Sequence, residues 1–420
     1  MTIAEKENIL ENKKNKKVKK ELIKKKIPTG SDILDIAMEG GWDVGGIAQI
    51  YADSTAGKTL FAIEAIYQAL LAYSPEKTHY KYNDVEAGLS FDTEERYGYP
   101  LLGTKHLMHE PVVESLKSDI LYFCDDINAS KEEVGILVID SQDLLYTLDD
   151  KTRTEDEMKA YKKDGEAKNI GTYGNRAKKI KEMWRHCAIP AYHHNLHVMV
   201  ISQIIDKMNA MPFEKKTTTS GGHGTKFASS KKFEIKRVCD LGPKDRPYGY
   251  RVCVILEKTR TRYEGRKVYI DILTDSGFDN VRSNLIFLYD LLDERGREIP
   301  NKGNALKWGD VYDPKHDSEA EDVSNDDYKQ FCDDMGIVDA VKDEYKRYSV
   351  PNIKKYISDH ADIMTAFADK YGVTSLDDLC SYIERNDLEE ELTNRVKMKW
   401  NYLEEKDKPK NRKVRPKVNM

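Results

Sequence analysis

The chain has 420 residues, of which 34% are charged and 39% hydrophobic, and a formal net charge of −5. That length suits one large domain with appendages, or two domains. No apolar run approaches the roughly eighteen residues of a membrane span, so no membrane partner is expected, and the overall charge does not announce a nucleic-acid binder.

Residues 1–26 read as a basic N-terminal arm, helical or disordered. Between Lys13 and Lys26 there are nine lysines and one acid, Glu21, and no apolar core of the kind a secretory signal carries. From Ile27 the texture changes. "DILDIAM" has helical spacing, and "GGWDVGGIAQIY" is a glycine-punctuated turn entering a strand. "TLFAIEAIYQALLAY" is rich in helix formers and reads as a buried helix. "THYKYNDVEA" is a second strand. "VGILVID" (Val134–Asp140) is fully apolar up to its last residue, as a central parallel strand should be.

"AKKIKEMWRHCAIPAYHH" is an amphipathic helix and "LHVMVISQ" another buried strand. His193, His194 and His197 lack a carboxylate partner at helical spacing, so they read as surface and loop histidines rather than metal ligands. "KKFEIKRV", "YRVCVILEKTRT" and "RKVYIDIL" are β-rich and close together, which suggests antiparallel additions to the sheet. Strands alternating with helices predict an α/β core over residues 27–290, with a mainly parallel central sheet flanked by helices. Residues 291–325 form a linker that includes the acidic stretch "DPKHDSEAEDVSNDD". Residues 326–405 read as a smaller helical C-terminal domain and 406–420 as a basic tail. Charge runs of this kind are solvated disorder or capture a polyanion. The six cysteines are scattered without a CxxC pair, the pattern of reduced thiols in a cytosolic setting.

One stretch carries chemistry. "ADSTAGKT" (residues 52–59) ends as a phosphate-binding loop, G-x-x-x-x-G-K-[ST], but begins with Ala52 in place of glycine. In such a loop the backbone N–H groups of Asp53, Ser54, Thr55, Ala56, Gly57 and on to Leu60 wrap phosphates. Lys58 neutralises the outer phosphates and Thr59 holds Mg²⁺. A strand before and a helix after provide the required context, and the helix N-terminus adds its dipole. Asp140, ending its apolar strand, is the expected second Mg²⁺ ligand of an ATP site. Glu86, following the strand "THYKYND", is the candidate to orient or deprotonate water.

Several stretches together resemble the RecA family of DNA strand-exchange ATPases. These are "KIPTGSDILDIAMEGG", "ADSTAGKT", "NDVEAG" with Glu86, "ILVIDSQDLL" with Asp140, "MVISQI" with Gln203, and "TTTSGGHGTKFASSKKFEIKRV". "LEKTRT" and "RKVYIDI" look most like the UvsX recombinases of T4-like tailed phages. The resemblance covers residues 27–290 and implies a RecA-like P-loop ATPase core. It makes Glu86 the catalytic glutamate and Gln203 the sensor of the γ-phosphate. Lys258 and Arg260 fall where the family sends basic residues across a subunit interface to the neighbour's ATP.

The resemblance also implies two DNA loops. The second spans Asp206–Ser220, with Lys207, Lys215 and Lys216 for phosphates and Met208, Met211 and Phe213 as wedges between bases. Gly221 and Gly222 would let the backbone approach the strand closely. The first lies within about Leu148–Gly174, and Arg153, Lys162, Lys163, Lys168 and Arg176 are its expected phosphate contacts. The implied function is an ATP- and Mg²⁺-dependent recombinase in the cytoplasm. It would form filaments on single-stranded DNA, pair homologous duplex, and work with mediator and single-strand-binding proteins. A RecA-like ATPase without strand exchange, either a mediator or a ring-forming motor, is the alternative; a DNA scaffold that has lost hydrolysis is a third. The chain departs from the family at Ala52 and at Thr93, where relatives stack an aromatic ring on adenine; Tyr97 is the expected substitute. Its basic C-terminus and its short lysine-rich arm, with Ile3, Ile9 and Leu10 for filament contacts, also differ.

Overall fold

The computed structural model describes residues 25–89, 92–103, 105–129, 132–164, 175–206, 217–219, 222–260, 263–300, 325–360, 362–363, 366–367 and 375–406. The chain divides into two compact units, residues 1–268 with 272–278 and residues 269–271 with 279–420. The first unit opens with β1 (Lys26–Ile27), α1 (Asp32–Ala37), β2 (Trp42–Asp43), β3 (Ile47–Ala52) and α2 (Lys58–Tyr73). It continues with β4 (Thr78–Asp84), α3 (Thr93–Tyr97), β5 (Leu107–Met108), α4 (Val113–Asp126) and β6 (Val134–Asp140). Then come α5 (Leu148–Asp164), α6 (Arg176–His193), β7 (Leu196–Asp206), β8 (Thr217–Thr219) and α7 (Gly222–Ala228). β9 (Lys231–Leu241), β10 (Gly249–Thr259), β11 (Lys267–Leu273) and β12 (Gly277–Asp279) follow.

The strands form one ten-stranded sheet in the order β12-β11-β10-β9-β3-β7-β6-β4-β5, with β8 paired to β7 off this path. The central pairs β3–β7, β3–β9, β6–β7 and β4–β6 are parallel, so the expected α/β architecture holds. β3 and β6 are buried along their whole length, as strands covered on both faces must be. Alternate residues separate the two faces. Leu137 and Ile139 of β6 and Val198 and Val200 of β7 join α4 and α6 in one core, through Leu116, Ile120, Met183 and Trp184. α2 stands outside that core and packs on β3, β4, β6 and β7 from the other face.

Four expectations change. β9 is not an antiparallel addition: it pairs parallel with β3 and antiparallel only with β10. β7 runs on past Gln203 to Asp206, because Thr217–Thr219 returns to pair with Ile204–Asp206. Residues 148–164, expected within a loop, are helix. That stretch has no glycine or proline, and Asp150–Arg153 and Asp156–Lys159 pair one turn apart. His197 is no surface residue: it is buried beneath Trp42, with Nδ1 on the carbonyl oxygen of Asp43, and burial pushes its imidazole down to about 4.

The second unit is helical: α8 (Asn280–Leu288), α9 (Asn325–Asp334), α10 (Val338–Tyr345), α11 (Val350–Asp359), α12 (Leu376–Arg385) and α13 (Glu389–Lys406). Tyr328, Phe331, Ile353, Ile357 and Phe367 build a core of their own. Two buried cations tie other parts of this unit together. Arg282 of α8 reaches Asp271, Glu298 and Asp377. Lys399 of α13 donates to the carbonyls of Phe287 and Leu288 at the end of α8, the end where a cation is favoured. All six cysteines are free thiols. Among the described residues no helix is long and apolar enough to cross a membrane.

Candidate phosphate-binding site

The sheet aims the C-terminal ends of β3, β4, β6 and β7 at one edge, where ligands of open parallel sheets bind. The loop after β3 turns through two left-handed residues, Thr55 at φ 64° and Gly57 at φ 90°, before α2 begins at Lys58. Ala52 is not among the positive-φ residues; it ends a strand, where any L-residue fits, which explains how alanine stands in the first glycine position. Ala56 and Leu60 are buried beneath the loop, while Asp53, Ser54 and Thr55 are exposed. The Lys58 ammonium donates to the carbonyls of Ala52 and Asp53, at 3.1 and 2.8 Å, and so spans the loop. Burial pulls its pKa down, and Asp140, Glu86, Asp143 and Asp53 oppose that.

Thr59 and Asp140 come together from α2 and β6. Thr59 Oγ1 donates to Asp140 Oδ2 at 2.9 Å, and Tyr82 Oη of β4 donates to the same oxygen at 2.5 Å. Burial raises the Asp140 carboxyl above its ordinary range, and the two hydroxyl hydrogen bonds offset part of this. A hydroxyl and a carboxylate side by side form the hard oxygen donor set that Mg²⁺ takes, usually with water and phosphate oxygens completing the shell. With a lysine, a left-handed loop and the start of a 16-residue helix, the residues present fit a magnesium nucleotide.

Glu86 reaches the same edge. The backbone N–H groups of Val85 and Glu86 both donate to the carbonyl of Asp140, at 2.7 and 3.3 Å, which pins the turn after β4 against β6. Glu86 Oε1 accepts from Ser141 Oγ at 2.5 Å and from Gln203 Nε2 at 3.2 Å. Gln203 is the register partner of Ala52 on the adjacent strand, and its own N–H donates to Asp143 Oδ2 at 2.8 Å. Lys58, Thr59, Asp140, Glu86 and Gln203 thus share one edge of the sheet.

Other expected residues lie elsewhere. Lys258 pairs in register with Lys232, and Lys232 with Gln49, near the start of β3 rather than its end. That is three residues, about 10 Å, back from the Ala52 row, so the chain does not bring Lys258 or Arg260 to its own phosphate loop. Lys258 Nζ instead donates to the carbonyls of Lys226 and Ser229 at the end of α7, at 2.7 and 2.6 Å. Arg260 lines a cleft of about 550 Å³ with Ile47, Ile189, Tyr192 and Ala228, at that opposite end. Tyr97 gives its hydroxyl to Glu64 Oε2 at 3.1 Å and its ring to Tyr67.

Arg153 pairs with Asp150, and Lys162 and Lys163 are exposed in the last turn of α5. Arg176 Nη1 donates to the carbonyl of Asp143 at 2.7 Å. Gly222 opens α7. Lys168, Lys207, Met208, Met211, Phe213, Lys215, Lys216 and Gly221, with residues 1–24 and the basic tail from 407, lie outside the described residues.

Sequence reasoning missed Tyr82, Ser141, Asp143 and Thr225. Thr225 Oγ1 donates to Gln142 Oε1 and accepts from Trp184 Nε1, a buried chain joining α6 and α7 to the turn after β6. The one signal for Tyr82 was the alternation Tyr80, Tyr82, Asp84 along β4, which puts all three on one face.

Comparison with known proteins agrees with this fold. The family model described as RecA N-terminal domain matches residues 5–279. Protein RecA of Nautilia profundicola is 26% identical over 281 residues, 64% of this chain and 71% of that protein. Protein RecA of Oleidesulfovibrio alaskensis is 26% identical over 252 residues, 60% of this chain and 65% of that protein. Protein RecA of Aquifex aeolicus is 29% identical over 257 residues, 60% and 66%. The chain thus spans about two thirds of the length of these relatives, and its helical second unit lies almost wholly beyond the matched segment.

Proposed function

The chain belongs to the RecA family, and from that premise we propose that it is an ATP-dependent DNA recombinase that assembles on single-stranded DNA and exchanges strands with a homologous duplex. Magnesium ATP, when bound, supplies the phosphoanhydride bond whose hydrolysis resets the cycle. The N–H groups from Asp53 to Leu60 receive phosphate oxygens, and Lys58 turns from the Ala52 and Asp53 carbonyls to phosphate. Thr59 and Asp140 would hold the magnesium. Glu86 Oε1 orients the attacking water and accepts its proton. Ser141 holds that carboxylate in place by donating to the same oxygen.

The observation that carries the reading is the Gln203–Glu86 hydrogen bond, made from a strand in register with the start of the phosphate loop. A phosphoryl oxygen competes with Glu86 for the Gln203 amide, so the terminal phosphate is sensed at the base of the segment that leads to the second DNA loop. Filament growth, strand exchange, a UvsX-like subgroup with phage origin, cytoplasmic action and mediator or single-strand-binding partners all belong to this proposal. Lys258 and Arg260 act on a neighbouring chain's nucleotide. DNA is held mostly through phosphates, so binding is nearly sequence-independent and weakens steeply with salt.

ATP turnover with and without single-stranded DNA tests the proposal. Stimulation by DNA is expected, with loss of turnover in Lys58→Ala. A rate indifferent to single-stranded DNA, or an active Lys58→Ala, overturns it.

A further inference from the structure

The loop that receives phosphate is also held from its outer side. Arg237 lies on β9, two residues past Ile235, the register partner of Ala52, so it stands where the loop leaves the sheet. Its Nη1 donates to the carbonyl of Thr55 at 3.2 Å. Its Nε and Nη2 both donate to Asp240 Oδ1, at 3.1 and 2.6 Å. The guanidinium lies over the Tyr250 ring, 4.3 Å from its centroid. Tyr250 stands opposite Asp240 on β10, and its hydroxyl abuts Gly57: a Cβ on that glycine would come within 2.8 Å of it.

The Thr55 carbonyl is turned to the outer side of the loop, toward β9. Thr55 is a non-glycine residue with a left-handed backbone, a conformation that persists only where its surroundings over-determine it. Here the surroundings include an arginine on the Thr55 carbonyl and a phenol against Gly57, beside the Lys58 ammonium on the Ala52 and Asp53 carbonyls. The Arg237 donors face Asp240 and a main-chain oxygen of the loop. We propose that Arg237 and Tyr250 are positioning residues, a single brace that sets the phosphate loop in its receiving shape before nucleotide arrives. The inference rests on the nucleotide reading above and adds to it a rigid link from the β9–β10 hairpin to the loop.

The test uses the full chain, titrated with a fluorescent ADP analogue in magnesium and assayed for ATP turnover on single-stranded DNA. Arg237→Ala and Tyr250→Leu each weaken binding about three- to tenfold and raise KM in parallel, with kcat within about twofold. Because the two act as one unit, the double variant is no weaker than the worse single variant. Arg237→Lys keeps a donor for Thr55 but loses the fork to Asp240, so its affinity lies between wild type and Arg237→Ala. Without nucleotide, amide exchange at residues 53–57 quickens in the alanine variant while β3 and β6 keep their protection.

Unchanged affinity in Arg237→Ala, additive losses in the double variant, or exchange that quickens across the whole core overturns the brace. Lys58→Ala separates the two levels. If it binds nucleotide as wild type does, the nucleotide reading itself fails. If it loses nucleotide while Arg237→Ala does not, only the brace fails.

Discussion

Gly57 and Ala52 sit five residues apart in the same loop and are bound by opposite constraints. Gly57 has φ 90°, a conformation that L side chains rarely adopt, and a methyl group there would meet the Tyr250 hydroxyl. Ala52 closes a strand and needs no such freedom. Gly57→Ala is therefore expected to weaken nucleotide binding by at least about tenfold, whereas Ala52→Gly stays within about twofold of wild type. Titration of both variants with the same fluorescent nucleotide decides this. Equal effects would mean that the departure at Ala52 is a functional change and not a neutral one.

Among the elements, α7 leads from the proposed second DNA loop to the far end of the sheet. Thr225 at its centre bonds Gln142 and Trp184, and Lys258 closes its C-terminal carbonyls. Gln142 and Asp143 are neighbours in the short turn after β6, and Asp143 holds the Gln203 N–H. The element thus connects to the glutamine that faces Glu86 through the buried Thr225–Gln142 hydrogen bond, one short turn and the exposed Asp143–Gln203 hydrogen bond. Thr225→Val keeps the shape but leaves two buried polar groups without this partner, at a cost of about 1–3 kcal/mol each. The expected outcome is a lowered unfolding midpoint and a fall in DNA stimulation of turnover larger than any change in nucleotide affinity. A variant that loses stability but keeps its full response to DNA would reduce α7 to a packing element.

For the whole molecule the direction of β10 matters most. It runs antiparallel to β9, so its start lies beside the phosphate loop, at Tyr250, and its end lies at the opposite edge, at Lys258 and Arg260. Within one chain Arg260 is remote from the loop, and hydrolysis that needs it must be shared between chains. Lys58→Ala and Arg260→Ala are each expected to be inactive on DNA. An equal mixture should recover about one quarter of wild-type turnover, because a competent site needs Lys58 from one chain and Arg260 from its neighbour. A mixture as inactive as its components would assign Arg260 to no shared site.

The sequence by itself determined the local parts: the phosphate loop, the apolar strands that bury the sheet centre, the carboxylate ending β6 and the helical pattern within residues 326–405. Each is written in contiguous residues whose spacing follows from backbone geometry. It also carried enough family likeness to name Glu86 and Gln203. Only the tertiary structure decided that these two side chains touch, that Tyr82 shares the Asp140 oxygen, and that Arg237 and Tyr250 flank the loop. It also turned the polar stretch 148–164 into helix, placed β9 parallel to β3, and sent Lys258 to the end of α7. These facts depend on strand order and register, set by contacts between residues far apart in the chain, and local periodicity carries no information about them.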